Sequence, residues 1–183
     1  MLPNKDKTPP LRRGRDTPGH RALRKGRFSE AGQAYFLTFA VDRRQQLLVG
    51  SLAQCFVEHL LQWQREMRFA LLAFVVMPDH VHLLGILTGQ RQLSEVVRIL
   101  KGRTGRMLNS LLGQSGSFWQ SAFYDHAVRR EENLEAITRY IQGNPVRRRL
   151  VVDPSEYPYS SANAVYAEQM LGWQWLVEGD AIW

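Results

Sequence analysis

The chain has 183 residues, 24 Lys plus Arg against 17 Asp plus Glu, and a net charge of +7. That length and a hydrophobic fraction of 44% suit one globular domain with a full core and exclude a wholly disordered chain. The single cysteine, Cys55, excludes an internal disulfide framework, the longest apolar run (Phe69 to Met77) is too short for a bilayer, and the charged opening residues lack the apolar stretch of a signal peptide, so the cytoplasm is the expected compartment.

Residues 1–30 read as a basic disordered arm: four prolines and nine Lys or Arg leave little apolar surface to offset the entropy of ordering. Gln33 to Val41 is aromatic and β-branched, which predicts a strand. Ser51 is a plausible N-cap for a helix over Leu52 to Arg68, where Leu52, Phe56, Leu60 and Trp63 recur at helical spacing. Phe69 to Met77 predicts a strand buried on both faces. Pro78-Asp79 is a turn signal, and His80 to Thr88 predicts a strand antiparallel to the one before it. Leu93 to Leu112 is helical by period, with Gly102 and Gly105 weakening it. Phe123 to Val128 alternates as a strand. Glu131 and Glu132 suit the start of a helix over Glu131 to Gly143, with Gly143, Asn144 and Pro145 as its stop. The order β-α-β-β-α-β-α predicts an α+β, ferredoxin-like domain over 31–162 with an added C-terminal helix, followed by an extension over 163–183.

Charge is unevenly placed along this order. Residues 1–30 carry +6, 31–90 carry 0, 91–149 carry +6 and 150–183 carry −5. A basic block in a neutral context suggests a polyanion such as nucleic acid, or simply a solvated surface. The complementary sign of the acidic end suggests that it folds over the basic block in the absence of DNA, so its deletion would tighten DNA binding.

Two groups of residues could do chemistry. His80 and His82 lie two apart on a strand, so both imidazoles project from one face while Val81 enters the core. Such a pair could converge on one divalent cation, or face solvent with no role. Tyr140 and Asn144 lie four apart, on one helix face, with Ile137 and Ile141 anchoring a neighbouring face. A tyrosine in an amphipathic helix is commonly a core residue.

MPDHVHLL at 77–84, FWQSAFYDHAVR at 118–129, YIQGNPVRRRLV at 140–151 and YPYSSA at 157–162 together resemble the REP-associated tyrosine transposases, within the wider class of single-tyrosine transposases with a His-hydrophobe-His motif. The resemblance spans about Gly32 to Ala162. It implies a ferredoxin-like fold, a divalent cation (Mg²⁺ or Mn²⁺) at His80 and His82, and Tyr140 as the nucleophile. It further implies Asn144, one helical turn later, as a polar group toward the metal, at a position that is glutamine in related insertion-sequence enzymes. The implied reaction is cleavage and rejoining of single-stranded DNA at palindromic hairpins, by a monomer or homodimer. DNA contacts are then expected from Arg98, Lys101, Arg103 and Arg106 on the second helix and from Arg147, Arg148 and Arg149. Trp119 and Phe123 are candidates for stacking on bases, with core packing the first expectation. Tyr124, beside Asp125 and His126, is the rival nucleophile. A non-catalytic ferredoxin-like nucleic-acid-binding protein, such as a domesticated transposase, is the alternative. A histidine-triad hydrolase is disfavoured because Leu84 stands where a third histidine is needed.

Overall fold

The computed structural model describes residues 29–67, 69–129 and 132–170. Most of the basic arm, residues 1–28, and the end of the acidic extension, 171–183, lie outside the described residues. Within them, no helix is long and apolar enough to cross a membrane.

Four apolar, β-rich segments pair into one antiparallel sheet: β1 (Ala34–Ala40), β2 (Phe69–Met77), β3 (His80–Leu87) and β4 (Tyr124–Ala127), in the order β2-β3-β1-β4. The β2–β3 turn is Pro78-Asp79, as its composition predicts. Between the strands run α1 (Gly50–Met67) and α2 (Leu93–Leu111), and after them come α3 (Leu134–Gln142) and a one-turn α4 (Asn144–Arg147). The element order and the sheet are those expected for a ferredoxin-like α+β domain.

Strand alternation divides the side chains into two layers. On the back face, Leu37, Phe39, Val81, Leu83, Phe74 and Val76 pack against Phe56, Leu60 and Trp63 of α1 and Val96, Val97 and Leu100 of α2. On the front face, Ala70, Leu72, Val75, Leu84 and Ile86 pack against Ile141, with Leu134 and Ile137 alongside, so α3 covers β2 and β3 from the opposite side. Gly105 has a purpose that propensity alone does not show. A Cβ there would lie 3.2 Å from the Trp119 ring, so the glycine lets the indole close onto α2. Trp119 is buried and donates from Nε1 to Thr104 Oγ1 at 3.1 Å, which removes it as a stacking platform.

Several boundaries differ from the sequence expectation. Ser51 lies inside α1, which opens at Gly50, and so is not its N-cap. α3 begins three residues later than the acidic pair suggests. Asn133 caps it, its side chain accepting from the backbone N–H groups of Glu135 and Ala136. Glu131 lies outside the described residues, and Glu132 instead pairs with His126, Nε2 to Oε2 2.7 Å. Gly143 does not end the helix in a left-handed turn; its φ is −77°, and the chain goes straight into α4.

The chain after α4 closes the β2 edge. Val76 N–H donates to Tyr159 O at 2.9 Å, Ser161 N–H to Phe74 O at 3.0 Å, and Tyr157 Oη–H to Val76 O at 2.9 Å. A further 3-10 turn, Ala164–Gln169, seats Tyr166 against Phe74 and buries Met170. The packed domain therefore runs past 162 to at least Met170, because these apolar side chains complete the back-face core.

Candidate active site

Register brings the histidines to the front face. His82 stands opposite Thr38 of β1 and Val75 of β2, and His80 opposite Ala40 and Met77. Their rings meet edge to face with centroids 4.7 Å apart. Val81 between them is fully buried in the back-face core, as alternation requires. The two histidines are only 5% and 8% exposed, so the pair is far less open to solvent than a strand start suggests.

Each ring is held by its Nδ1. His80 Nδ1 lies 2.6 Å from Asp79 Oδ1, and His82 Nδ1 lies 2.7 Å from Thr38 Oγ1. An ionised carboxylate only accepts, so His80 donates from Nδ1, and Nε2 is the ring position that a ligand would take. Thr38 Oγ1 can accept from His82 in the same way. Burial, with His80, Arg147 and Arg44 adding positive charge nearby, pushes the His82 imidazole down to about 3, so it is neutral at physiological pH. Burial also works to raise the Asp79 carboxyl. The hydrogen bond and charge of His80, joined by Arg44, overcome it and hold that carboxyl at about 2. Arg44 reaches Asp79 Oδ2 at 3.1 Å from a left-handed backbone, φ 56°.

Two imidazoles whose Nδ1 atoms are engaged and whose Nε2 atoms remain for a ligand fit a divalent cation. Among the described residues no group of three His, Cys, Asp or Glu side chains could hold a metal, so any further ligand would be an amide, substrate or water oxygen. Asn144 is buried, and its Nδ2 donates back to the carbonyls of Tyr140 (3.2 Å) and Ile141 (3.3 Å). Only its Oδ1 is left for a cation, and its visible work is to tie α4 to the end of α3.

Tyr140 reaches this site from α3. The apolar stripe of Ile137 and Ile141 fixes the helix on the sheet, and Gln142 Nε2 donates to Ser161 Oγ at 3.3 Å to fix its end. The Tyr140 ring lies 6.1 Å from the His82 ring and 6.2 Å, edge on, from Phe36. Arg147 folds over it, with Cζ 4.3 Å from the ring centroid and Nη2 donating to Tyr140 O at 2.5 Å. A Cβ at Gly143 would lie 3.1 Å from Arg147 Nη1 and 3.0 Å from Arg139 O, so the glycine leaves room for this fold-back.

The remaining sequence candidates divide. Arg147, Arg148 and Arg149 are all exposed at the end of α4 that adjoins the site, Arg149 at a left-handed φ of 56°. Arg98, Lys101, Arg103 and Arg106 lie on α2, which packs on the back face, so the structure does not bring them to the histidines and Tyr140. Lys101 has a structural role, since its Nζ donates to the carbonyls of Gln120, Ser121 and Ala122 and fastens the loop before β4. Arg103 pairs with Glu66, while Arg98 and Arg106 are exposed. Tyr124 is on the front face but at the far edge of the sheet, opposite Thr38. Sequence reasoning missed Thr38 and Arg44; it noted Gly143 only as a helix stop and Asp79 only as a turn residue, although the place of Asp79 beside His80 was a usable signal.

The chain and its fold match known proteins. The chain belongs to the IS200-like transposase family, whose profile matches residues 31–144. It is similar to the REP-associated tyrosine transposase of Escherichia coli (strain K12), 25% identical over 150 residues that cover 81% of this chain and 88% of that one. It is also similar to the ISDra2 transposase TnpA of Deinococcus radiodurans, 31% identical over 127 residues, covering 66% and 89% respectively. Among solved structures it matches a REP-associated tyrosine transposase bound to a REP hairpin, with a TM-score of 0.64, 27% identity, and coverage of 79% of this chain and 85% of that one.

Proposed function

We propose that this transposase cleaves and rejoins single-stranded DNA at hairpins of the REP type, through a covalent bond between Tyr140 and the 5′ phosphate. The observation that carries this reading is the meeting of three rings and one guanidinium: His80, His82, Tyr140 and Arg147 lie together on the front face. The hairpin partner is suggested by the solved relative that holds one.

In the forward step Tyr140 Oη attacks the scissile phosphorus, an O–P bond forms, and the bond to the 3′ oxygen breaks. The phenol loses its proton and the departing 3′ oxygen gains one. The phosphodiester is conserved in the phosphotyrosine, so a 3′-OH can attack it and rejoin the strand without a nucleotide cofactor. A divalent cation, Mg²⁺ or Mn²⁺, held by the Nε2 atoms of His80 and His82 with Asn144 Oδ1 as the candidate amide, would neutralise phosphate charge and orient it. Attack requires the phenol to give up its proton. Arg147, stacked on the ring, supplies positive charge next to it. Arg148 and Arg149 would contact the flanking phosphates, and Arg98 and Arg106 would serve only phosphates that pass the back face.

The test is incubation with a single-stranded hairpin oligonucleotide in Mn²⁺ or in chelator. Metal-dependent nicking that Tyr140→Phe abolishes and Tyr124→Phe retains is the expected result. Binding without nicking under every condition would favour the non-catalytic alternative, and loss of nicking in Tyr124→Phe alone would overturn the assignment.

A further inference from the structure

The front face continues past the histidines. One cross-strand row runs Val75, His82, Thr38, Tyr124, a residue from each strand in the order β2-β3-β1-β4. Tyr124 therefore sits two strand spacings, about 10 Å, from His82 and on the same face. It ends the row, because β4 is the edge strand.

The two halves of this face differ. Over β2 and β3 the front-face residues Val75, His82 and Leu84 are buried, with α3 above them. Over β1 and β4 the face opens at its rings: Phe36 is half-buried and Tyr124 is 42% exposed, while the small side chains of β1, Ala34, Thr38 and Ala40, lie buried. Phe36 is the shared floor. Its ring lies 6.2 Å from Tyr124, 6.2 Å from Tyr140 and 5.5 Å from His82. His126, opposite Phe36 and next along β4 on the same face, is braced by Glu132. An exposed aromatic ring on an aromatic floor, in line with a phosphate-handling site, has one evident class of ligand. A single strand whose phosphate sits at Tyr140 must leave along the surface, and the open half of the sheet is in line with it. Unpaired bases stack on aromatic side chains irrespective of sequence.

We propose that Tyr124 is a base-stacking subsite, receiving an unpaired nucleobase that flanks the scissile phosphate. Its role is to position the strand across the sheet; it takes no part in bond making. The proposal rests on the single-stranded DNA reading given above.

The test uses the full chain carrying Tyr140→Phe, so that binding is read apart from cleavage. The probe is a single-stranded DNA hairpin with an unpaired flank, intact or with one abasic site moved along that flank. Tyr124→Ala is expected to weaken binding of the intact probe by about 5- to 150-fold, the range set by loss of one base–aromatic stack. Tyr124→Phe and Tyr124→Trp are expected to restore it. At one abasic position the protein that keeps Tyr124 should lose the same factor, and the Tyr124→Ala variant should lose nothing further. Equal binding on all probes with and without the Tyr124→Ala substitution would overturn the subsite. So would a penalty unchanged at every abasic position, or a change in sedimentation showing that Tyr124 holds a second copy of the chain. Nicking by the protein with Tyr140 intact is scored separately, so failure of the cleavage reading leaves the stacking result readable.

Discussion

Asp79 and Thr38 act on the histidine pair through the nitrogens they occupy. By engaging Nδ1 of His80 and of His82 they fix the rings and leave the Nε2 positions for a ligand. Asp79→Ala or Thr38→Val is expected to weaken Mn²⁺ binding about 10- to 100-fold by calorimetric titration, the usual cost of losing such a support; unchanged affinity would place the cation elsewhere. Gly143 acts on Tyr140 at one remove, through the space it leaves for Arg147. Gly143→Ala should displace the guanidinium and slow single-turnover cleavage about 2- to 30-fold, the equivalent of a cation–π contact of ~0.5–2 kcal/mol, and Arg147→Ala should match it. Rates unchanged in both would mean that the stacked arginine does not assist the phenol.

At the scale of the elements, strand identity and order were legible because aromatic and β-branched runs separated by turn residues leave few pairings. The i, i+2 spacing of His80 and His82 already required a shared face. What periodicity does not carry is which side of the sheet a helix covers: the basic residues of α2, expected to contact DNA, lie on the side of the sheet away from the histidines and Tyr140. Thr38 was invisible for a similar reason, since its contact with His82 depends on cross-strand register. The segment that closes the β2 edge offers its own test. Burial, with Tyr159 nearby, raises the Tyr157 phenol to about 12, against an ordinary value of 10. Its folded form thus keeps the proton that the unfolded chain sheds first. Stability from this group is full below pH 10 and is lost as pH rises toward 12. Denaturant midpoints measured across that window should fall, and Tyr157→Phe should flatten part of the fall; a slope identical in the two proteins would remove Tyr157 as its source.

For the whole molecule, the structure redraws the C-terminal boundary. Tyr166 and Met170 complete the back-face core, and Gln64 Nε2 donates to Gln169 O at 2.7 Å. A chain ending at residue 162 is expected to be less stable than one ending at residue 170 by about 3–5 kcal/mol in denaturant melts, as for loss of a large buried aromatic. Equal melts would show that this turn is not part of the domain. The acidic end can therefore be tested as a competitor of DNA only by truncation after residue 170. The histidine strand and the tyrosine helix, some sixty residues apart along the chain, are joined by the packing of α3 on the sheet. The most direct measurement of that union is peptide mapping of the covalent protein–DNA adduct formed on a single-stranded hairpin with Mn²⁺. The account predicts one modified peptide, carrying the nucleotide on Tyr140; an adduct on Tyr124, or cleavage with no adduct on any tyrosine, would contradict it.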